Sequence, residues 1–298
     1  MEKLDKIVEK VKQLPNKRLI AANGVDNHTI EAIYQAMELG LIDATLVGDK
    51  NKIAETCSEL KININLFDII DIKDDLKAAQ KSVQLISEGK GDLLMKGLVS
   101  TDKYMKAILN KEYGLVPPKG LLTHITVMET PNYNKLLTVS DVAILPLPDL
   151  KQKIAITNLL ISTAKKIGID TPKVAILSAA ESVTPALPST IDAAIISKMQ
   201  DRGQIKGGIV EGPLSLDLAI DPESVEIKGM KNEVAGQADC LLFPNIEAGN
   251  VFYKANTKLA NADLGALVAG AKVPCILSSR GDSAKTKMYS IAISALMA

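Results

Sequence analysis

The sequence predicts an α/β fold built as two domains, and three observations lead there. Short β-rich apolar runs alternate with longer stretches whose apolar residues recur at helical spacing, the mark of a parallel sheet covered by helices on both faces. With 298 residues, 47% of them hydrophobic and 23% charged, the chain has material for two cores at about 150 residues each. The alternation breaks once, near Pro117-Pro118, and resumes around Leu150.

The elements follow in order. MEKLDKIVEKVKQ mixes charge with apolar residues at helical spacing and lacks the uninterrupted apolar stretch of a secretory signal. RLIAANG (18–24) reads as a strand with its exit turn, and HTIEAIYQAMELG (28–40) as an amphipathic helix ending at Gly40. ATLVGD (44–49), FDIIDI (67–72) and DLLMKG (92–97) repeat the strand signal, with helices near 50–60, 73–89 and 101–111. LLTHITVMETPNYNKLLTVSDVAIL (121–145) is long, β-rich and broken by a Pro-Asn turn, which predicts strands with no helix between them. A domain boundary is expected near residue 122. Then come a helix at 150–167, strand KVAILS (173–178), a helix at 189–202, and strands GGIVEG (207–212) and DCLLFPN (239–245). A helix near 248–260, strand VPCILSS (273–279) and a helix at 283–297 complete the chain.

Composition narrows the function. A formal net charge of +0, with dispersed lysines and no basic run interleaved with aromatics, argues against nucleic acid or an anionic membrane as partner. No segment approaches the ~18 apolar residues of a membrane helix, and a cytoplasmic location is expected. Cys57, Cys240 and Cys275 are odd in number and far apart in apolar surroundings, so buried thiols are expected rather than disulfides or a metal site. His28 and His124 are the only histidines, and Arg18, Arg202 and Arg280 the only arginines. Histidine chemistry therefore has few candidates, and an arginine in a glycine-containing loop stands out.

Ligands of open α/β sheets sit beyond the carboxyl ends of strands, so the loops there come first. Ser278-Ser279-Arg280-Gly281-Asp282-Ser283 joins a strand to the last helix. Hydroxyls, a flexible glycine, a guanidinium and a helix start together suit phosphate or another small oxyanion. Asp282 or Ser283 is also a natural helix cap, and capping is the preferred reading for Asp282. Capping gives no reason for an arginine, so Arg280 is read as functional. In Phe243-Pro244-Asn245-Ile246-Glu247-Ala248-Gly249-Asn250, the amides and carboxylate suit a polar ligand, while Asn and Gly suit a turn equally well. Glu211 and Asp217 flank a Gly-Pro step and offer a base, against a default of surface exposure. Lys96 offers charge to a phosphate against the default of a solvated lysine, and Ser100 or Thr101 caps the helix after it. Ser140 closes a β-rich segment, His124 reads as a structural histidine, and His28 as a cap or a solvent-facing residue. GxxxxGK[ST], GxGxxG after the first strand, and GxSxG are absent from the sequence, which removes support for nucleotide hydrolysis, a conventional dinucleotide fold and a serine-hydrolase elbow.

MKGLVST, LTVSDVAI, GGIVEGPLSLDLAI, DCLLFPNIEAGN and SSRGDSAKTKMYSIAISA, in that order, resemble the phosphate acetyl/butyryltransferase family. IVEGPLSLD and FPNIEAGN are closer to its butyryl than to its acetyl members. The resemblance implies two α/β domains like those of isocitrate and isopropylmalate dehydrogenases, with an active cleft between them. Residues 1–122 and a returning segment 269–298 would form the first domain and 123–268 the second. It also implies acyl-CoA and phosphate as substrates, no redox cofactor or metal, and a homodimer or larger homo-oligomer.

In that resemblance the family's serine–arginine pair falls on Ser279 and Arg280, which stabilise the thioester carbonyl and orient the CoA sulfur or phosphate. Gly281 and Ser283, with Lys96, Ser140, Glu211, Asn245, Glu247 and Asn250, are the expected substrate contacts, and Asp282 is a further catalytic candidate. The acetyl enzymes carry a catalytic aspartate where this chain has Thr286, so the identity of any base is open. The expected chemistry is direct attack of phosphate on the acyl carbonyl in a ternary complex. Acetyl specificity is the nearest rival. A metal- and NAD-dependent decarboxylating dehydrogenase would need a trio of aspartates and an arginine-rich site that the sequence does not offer. A non-catalytic acyl-CoA-binding protein is encouraged only by Thr286.

Overall fold

A computed structural model describes residues 3–118, 120–278 and 282–298. Among them the chain runs α1 (Leu4–Val11), β1 (Lys17–Ala22), α2 (Asn27–Glu38), β2 (Ile42–Gly48), α3 (Lys50–Glu59), β3 (Asp68–Asp71), α4 (Asp75–Ser87), β4 (Leu93–Lys96) and α5 (Thr101–Ile108). It continues through β5 (Thr123–Glu129), β6 (Leu137–Ser140), α6 (Leu150–Ile167), β7 (Lys173–Leu177), α7 (Pro188–Asp201) and β8 (Ile209–Leu214). The remainder is α8 (Leu216–Ile220), α9 (Pro222–Lys228), β9 (Cys240–Leu242), α10 (Ile246–Lys258), β10 (Asp263–Ala269), β11 (Cys275–Ile276) and α11 (Ala284–Met297). Two compact units emerge: Asp5–Leu122 with Leu264–Ala298, and Thr123–Asp263 with Lys3 and Leu4.

The first unit is organised by a sheet in the order β3-β2-β1-β4-β11-β10. All of its pairings are parallel except β10 with β11. Strands buried on both faces read as continuous apolar runs, which is why LIAA in β1 and LLM in β4 carry no alternation. Ile30 and Ile33 of α2, Val83 and Ile86 of α4, and Ile291 and Ile293 of α11 are buried in the same core. The chain builds β1, β2 and β3 outward in one direction, then places β4 on the other side of β1. The exits of β1 and β4 therefore diverge at a topological switch point, where such sheets leave a crevice beyond their carboxyl ends.

The second unit carries β5-β6-β9-β7-β8. β5 and β6 form the helix-free antiparallel pair expected at 121–145, and the remaining pairings are parallel. Its core gathers Leu137, Val139, Ala175, Leu177, Leu214, Leu218, Leu241 and Phe243. Among the described residues no helix is long and apolar enough to cross a membrane.

Strand β10 was not legible in the sequence. DLGALVA is poor in strand formers because α11 lies directly on it: a Cβ on Gly265 would fall 2.6 Å from Ile293 Cδ1 and 2.7 Å from the Tyr289 carbonyl carbon. Ala266 N also donates to Ser290 Oγ at 2.9 Å. Small residues that a close helix requires are residues that sequence statistics assign elsewhere.

Candidate active site

At the switch point the exits of β1 and β4 are laced together. Gly97 N donates to Ala22 O at 2.9 Å and Leu98 N to Asn23 O at 2.8 Å, while Asn23 Nδ2 donates to Leu98 O at 2.5 Å. Asn23 adopts φ 53°, a left-handed conformation asparagine tolerates. Gly97 is required by close approach, since a Cβ there would sit 2.3 Å from Asn23 O. The result is a cavity of about 140 Å³ lined by Asp26, His28, Lys96, Gly97, Leu98, Ser278 and Lys287.

Lys96 is 4% exposed, which reverses the expectation of a solvated lysine, and its ammonium donates to Gly97 O at 3.3 Å. Lys287 is 3% exposed, with its ammonium 3.1 Å from Thr29 Oγ1 and 3.5 Å from Asp26 Oδ1. Asp26 also caps α2, its side chain accepting from Thr29 N. His28 is exposed at the rim. Two buried lysines line the cavity with Asp26, a lining that can hold an anion.

Lys287 was missed in the sequence. It precedes the run Tyr289–Ala295, which is buried without a break and so on all sides of the helix, and that apolar run was the available signal. Ser283, not Asp282, caps this helix: its hydroxyl accepts from Thr286 N at 3.1 Å. Asp282, one residue before the cap and half-buried, loses the capping role assigned to it. Ser279, Arg280 and Gly281 lie outside the described residues. Ser278, their chain neighbour, lines the cavity.

The other candidates belong to the second unit, and most have internal partners. Ser140 is fully buried at the end of β6, its hydroxyl 2.8 Å from Thr123 Oγ1. Asp141 beside it accepts from Thr123 Oγ1, His124 N, Ala143 N and Ile144 N. Ser140 thus belongs to a buried network that ties β5 to β6. Asn245 caps α10 by accepting from Ala248 N at 2.9 Å, and Asn250 donates to Val142 O at 3.0 Å. Glu247 is exposed in the first turn of α10. Glu211 accepts from Gly212 N at 2.9 Å within β8. At Asp217 the Ser215 hydroxyl and the Lys228 ammonium hold the carboxyl down to about 2, with Lys228 Nζ at 2.9 Å.

The family model for phosphate acetyl/butaryl transferase matches residues 3–84 and 76–295. The chain belongs to that family. It is 44% identical over 298 residues to the phosphate butyryltransferase of Clostridium acetobutylicum, covering 100% of this chain and 99% of the relative. It is also 40% identical over 296 residues to a phosphate acetyltransferase of Rhizobium meliloti, covering 99% and 93%. Among solved structures, a branched-chain phosphotransacylase from Enterococcus faecalis V583 superposes with a TM-score of 0.82 at 29% identity, covering 93% of this chain and 97% of the other.

For an acyltransferase, the cysteines bear on the choice of nucleophile. Cys57, Cys240 and Cys275 are all buried. Burial raises all three thiols, Cys275 to about 12, and Asp239 adds to the effect at Cys240. Protonated, water-excluded thiols are poor nucleophiles. His124 is 5% exposed with Nδ1 3.4 Å from Thr126 Oγ1. Among the described residues no group of three or more His, Cys, Asp and Glu is placed to hold a metal ion.

Proposed function

We propose that this enzyme transfers a short acyl group, butyryl by preference, between coenzyme A and inorganic phosphate. The observation that carries the reading is a buried two-lysine cavity at the switch point of a chain 44% identical, end to end, to a phosphate butyryltransferase. Phosphate oxygen attacks the acyl carbonyl, the carbon–sulfur bond breaks, and acyl phosphate and the thiol of coenzyme A leave. No electrons change hands, so the reaction needs no redox cofactor. Ser279 and Arg280 are assigned to the carbonyl oxyanion and the departing sulfur, a pre-organised electrostatic role. Phosphate arrives as an anionic nucleophile, so its attack needs no separate base and is compatible with threonine at position 286. A cytoplasmic homodimer or larger homo-oligomer completes the reading, supported by the family resemblance.

The test is thiol release from acetyl-, propionyl-, butyryl- and valeryl-CoA, with and without phosphate. Release should depend on phosphate, and kcat/KM at saturating phosphate should rise from acetyl to butyryl. Each methylene in an apolar pocket is worth at most about 10- to 200-fold. An acetyl-CoA value equal to or above that for butyryl-CoA defeats the butyryl assignment, and phosphate-independent release defeats the reaction class.

A further inference from the structure

We propose that Lys287 is a binding residue for the phosphate substrate, holding its oxyanion together with Lys96 across the cavity at the β1–β4 switch point. This rests on the acyltransferase reading and adds a residue to it. Lysine at 3% exposure must be either neutralised in place or kept charged for something that visits. The chain contains a comparison for the first case. Lys153, 4% exposed, meets Asp192 at 2.7 Å, a close and complete ion pair. Lys287 stands 3.5 Å from Asp26. The Asp26 oxygen it approaches already accepts from Thr29 N at 3.0 Å to cap α2, so the carboxylate is divided between a helix start and the ammonium.

Among the described residues the acceptors of Lys287 are Thr29 and Asp26, two partners for three N–H groups. Its remaining charge is offered to the cavity it lines. Lys96 reaches the same cavity from the end of β4, and Ser278 from the chain after β11. A tetrahedral dianion needs donors from several sides, and these come from three different segments. A volume of about 140 Å³ admits one phosphoryl group. Inorganic phosphate, or the phosphoryl end of acyl phosphate, is therefore the assigned occupant.

The experiment compares wild type with Lys287→Met and with Lys287→Met/Asp26→Asn, the second removing both charges so that no carboxylate is left unpaired. Butyryl-CoA and phosphate are varied separately, and the rise in Tm on adding inorganic phosphate is measured without any CoA compound. The expected result is a KM for phosphate raised at least about tenfold, a KM for butyryl-CoA changed less than about twofold, and no Tm rise with phosphate. A folded variant with wild-type phosphate KM overturns the proposal. So does an increase confined to the KM for butyryl-CoA, which would give the cavity to a phosphate of coenzyme A. Failure of both variants to fold makes Lys287 structural and also overturns it. Should wild type show no phosphate-dependent thiol release, the reaction reading fails, while the phosphate-induced Tm rise and its loss in Lys287→Met still decide the residue.

Discussion

Gly97→Ala is the sharpest test of how the cavity is built. The added Cβ would meet Asn23 O at 2.3 Å, Asn23 C at 2.7 Å and Gly24 Cα at 2.8 Å. All three are backbone atoms, so no rotamer change relieves the clash. Restoring a contact of about 3.5 Å requires the exits of β1 and β4 to separate by about 1 Å. That movement strains the bonds from Gly97 N to Ala22 O and from Leu98 N to Asn23 O, as well as the one from Asn23 Nδ2 to Leu98 O. Overpacking costs roughly 1–3 kcal/mol, and each lost hydrogen bond roughly 1 kcal/mol. A total near 3 kcal/mol would lower Tm by about 6–12 °C for a unit of this size. Because Lys96 and Leu98 flank the glycine, the KM for phosphate should rise at least about tenfold as well. Circular dichroism melts and phosphate-dependent thiol release measure the two effects. Gly89→Ala is the control: its φ of +74° carries strain, yet nothing lies within 4 Å of the new Cβ, so Tm should fall slightly and phosphate KM stay unchanged. Wild-type Tm and phosphate KM in Gly97→Ala would refute the close-approach reasoning.

Other substitutions test the remaining assignments. Arg280→Ala should lower phosphate-dependent turnover at least about tenfold, or roughly 1.4 kcal/mol of transition-state stabilisation, with Arg280→Lys restoring only part because an ammonium lacks the guanidinium fork. Unchanged turnover at every phosphate concentration would remove the arginine from the mechanism. Replacing Cys57, Cys240 and Cys275 singly by alanine should leave most activity, since each thiol is buried and held protonated. Loss of turnover in one well-folded variant would reinstate a covalent route. Asp217→Asn should leave turnover within about twofold. Its folded pKa of about 2 lies below the ordinary carboxylate value, so the carboxylate stabilises the fold at neutral pH and that contribution disappears as pH falls towards 2. The pair is about half exposed, so the stability gap between variant and wild type at pH 7 should be small, under about 1 kcal/mol, and close in acid. A gap that widens in acid would contradict the assignment.

The sequence by itself determined most element types, though not β10, α8 or α9, together with the helix-free β5–β6 stretch and the family, because these are written in local periodicity and in motifs that stand in chain order. It also marked Lys96 and the 278–283 segment by their position after strands. Four matters needed the tertiary structure. The burial of Lys96 depends on strand order, which places β4 beside β1 and not beside β3. The burial of Lys287 depends on α2 returning Asp26 and Thr29 to a helix more than 250 residues away in sequence. The small residues of β10 make sense only beneath α11. Finally, Ser140, Asn245, Asn250 and Glu211 are expected substrate contacts, and the hydrogen bonds each makes within the fold could not be read from the chain. Their partners are Thr123, the first turn of α10, Val142 O and Gly212 N. A polar side chain's type is set by the sequence, but whether it faces a substrate or its own backbone is set by which distant segments the fold brings to it.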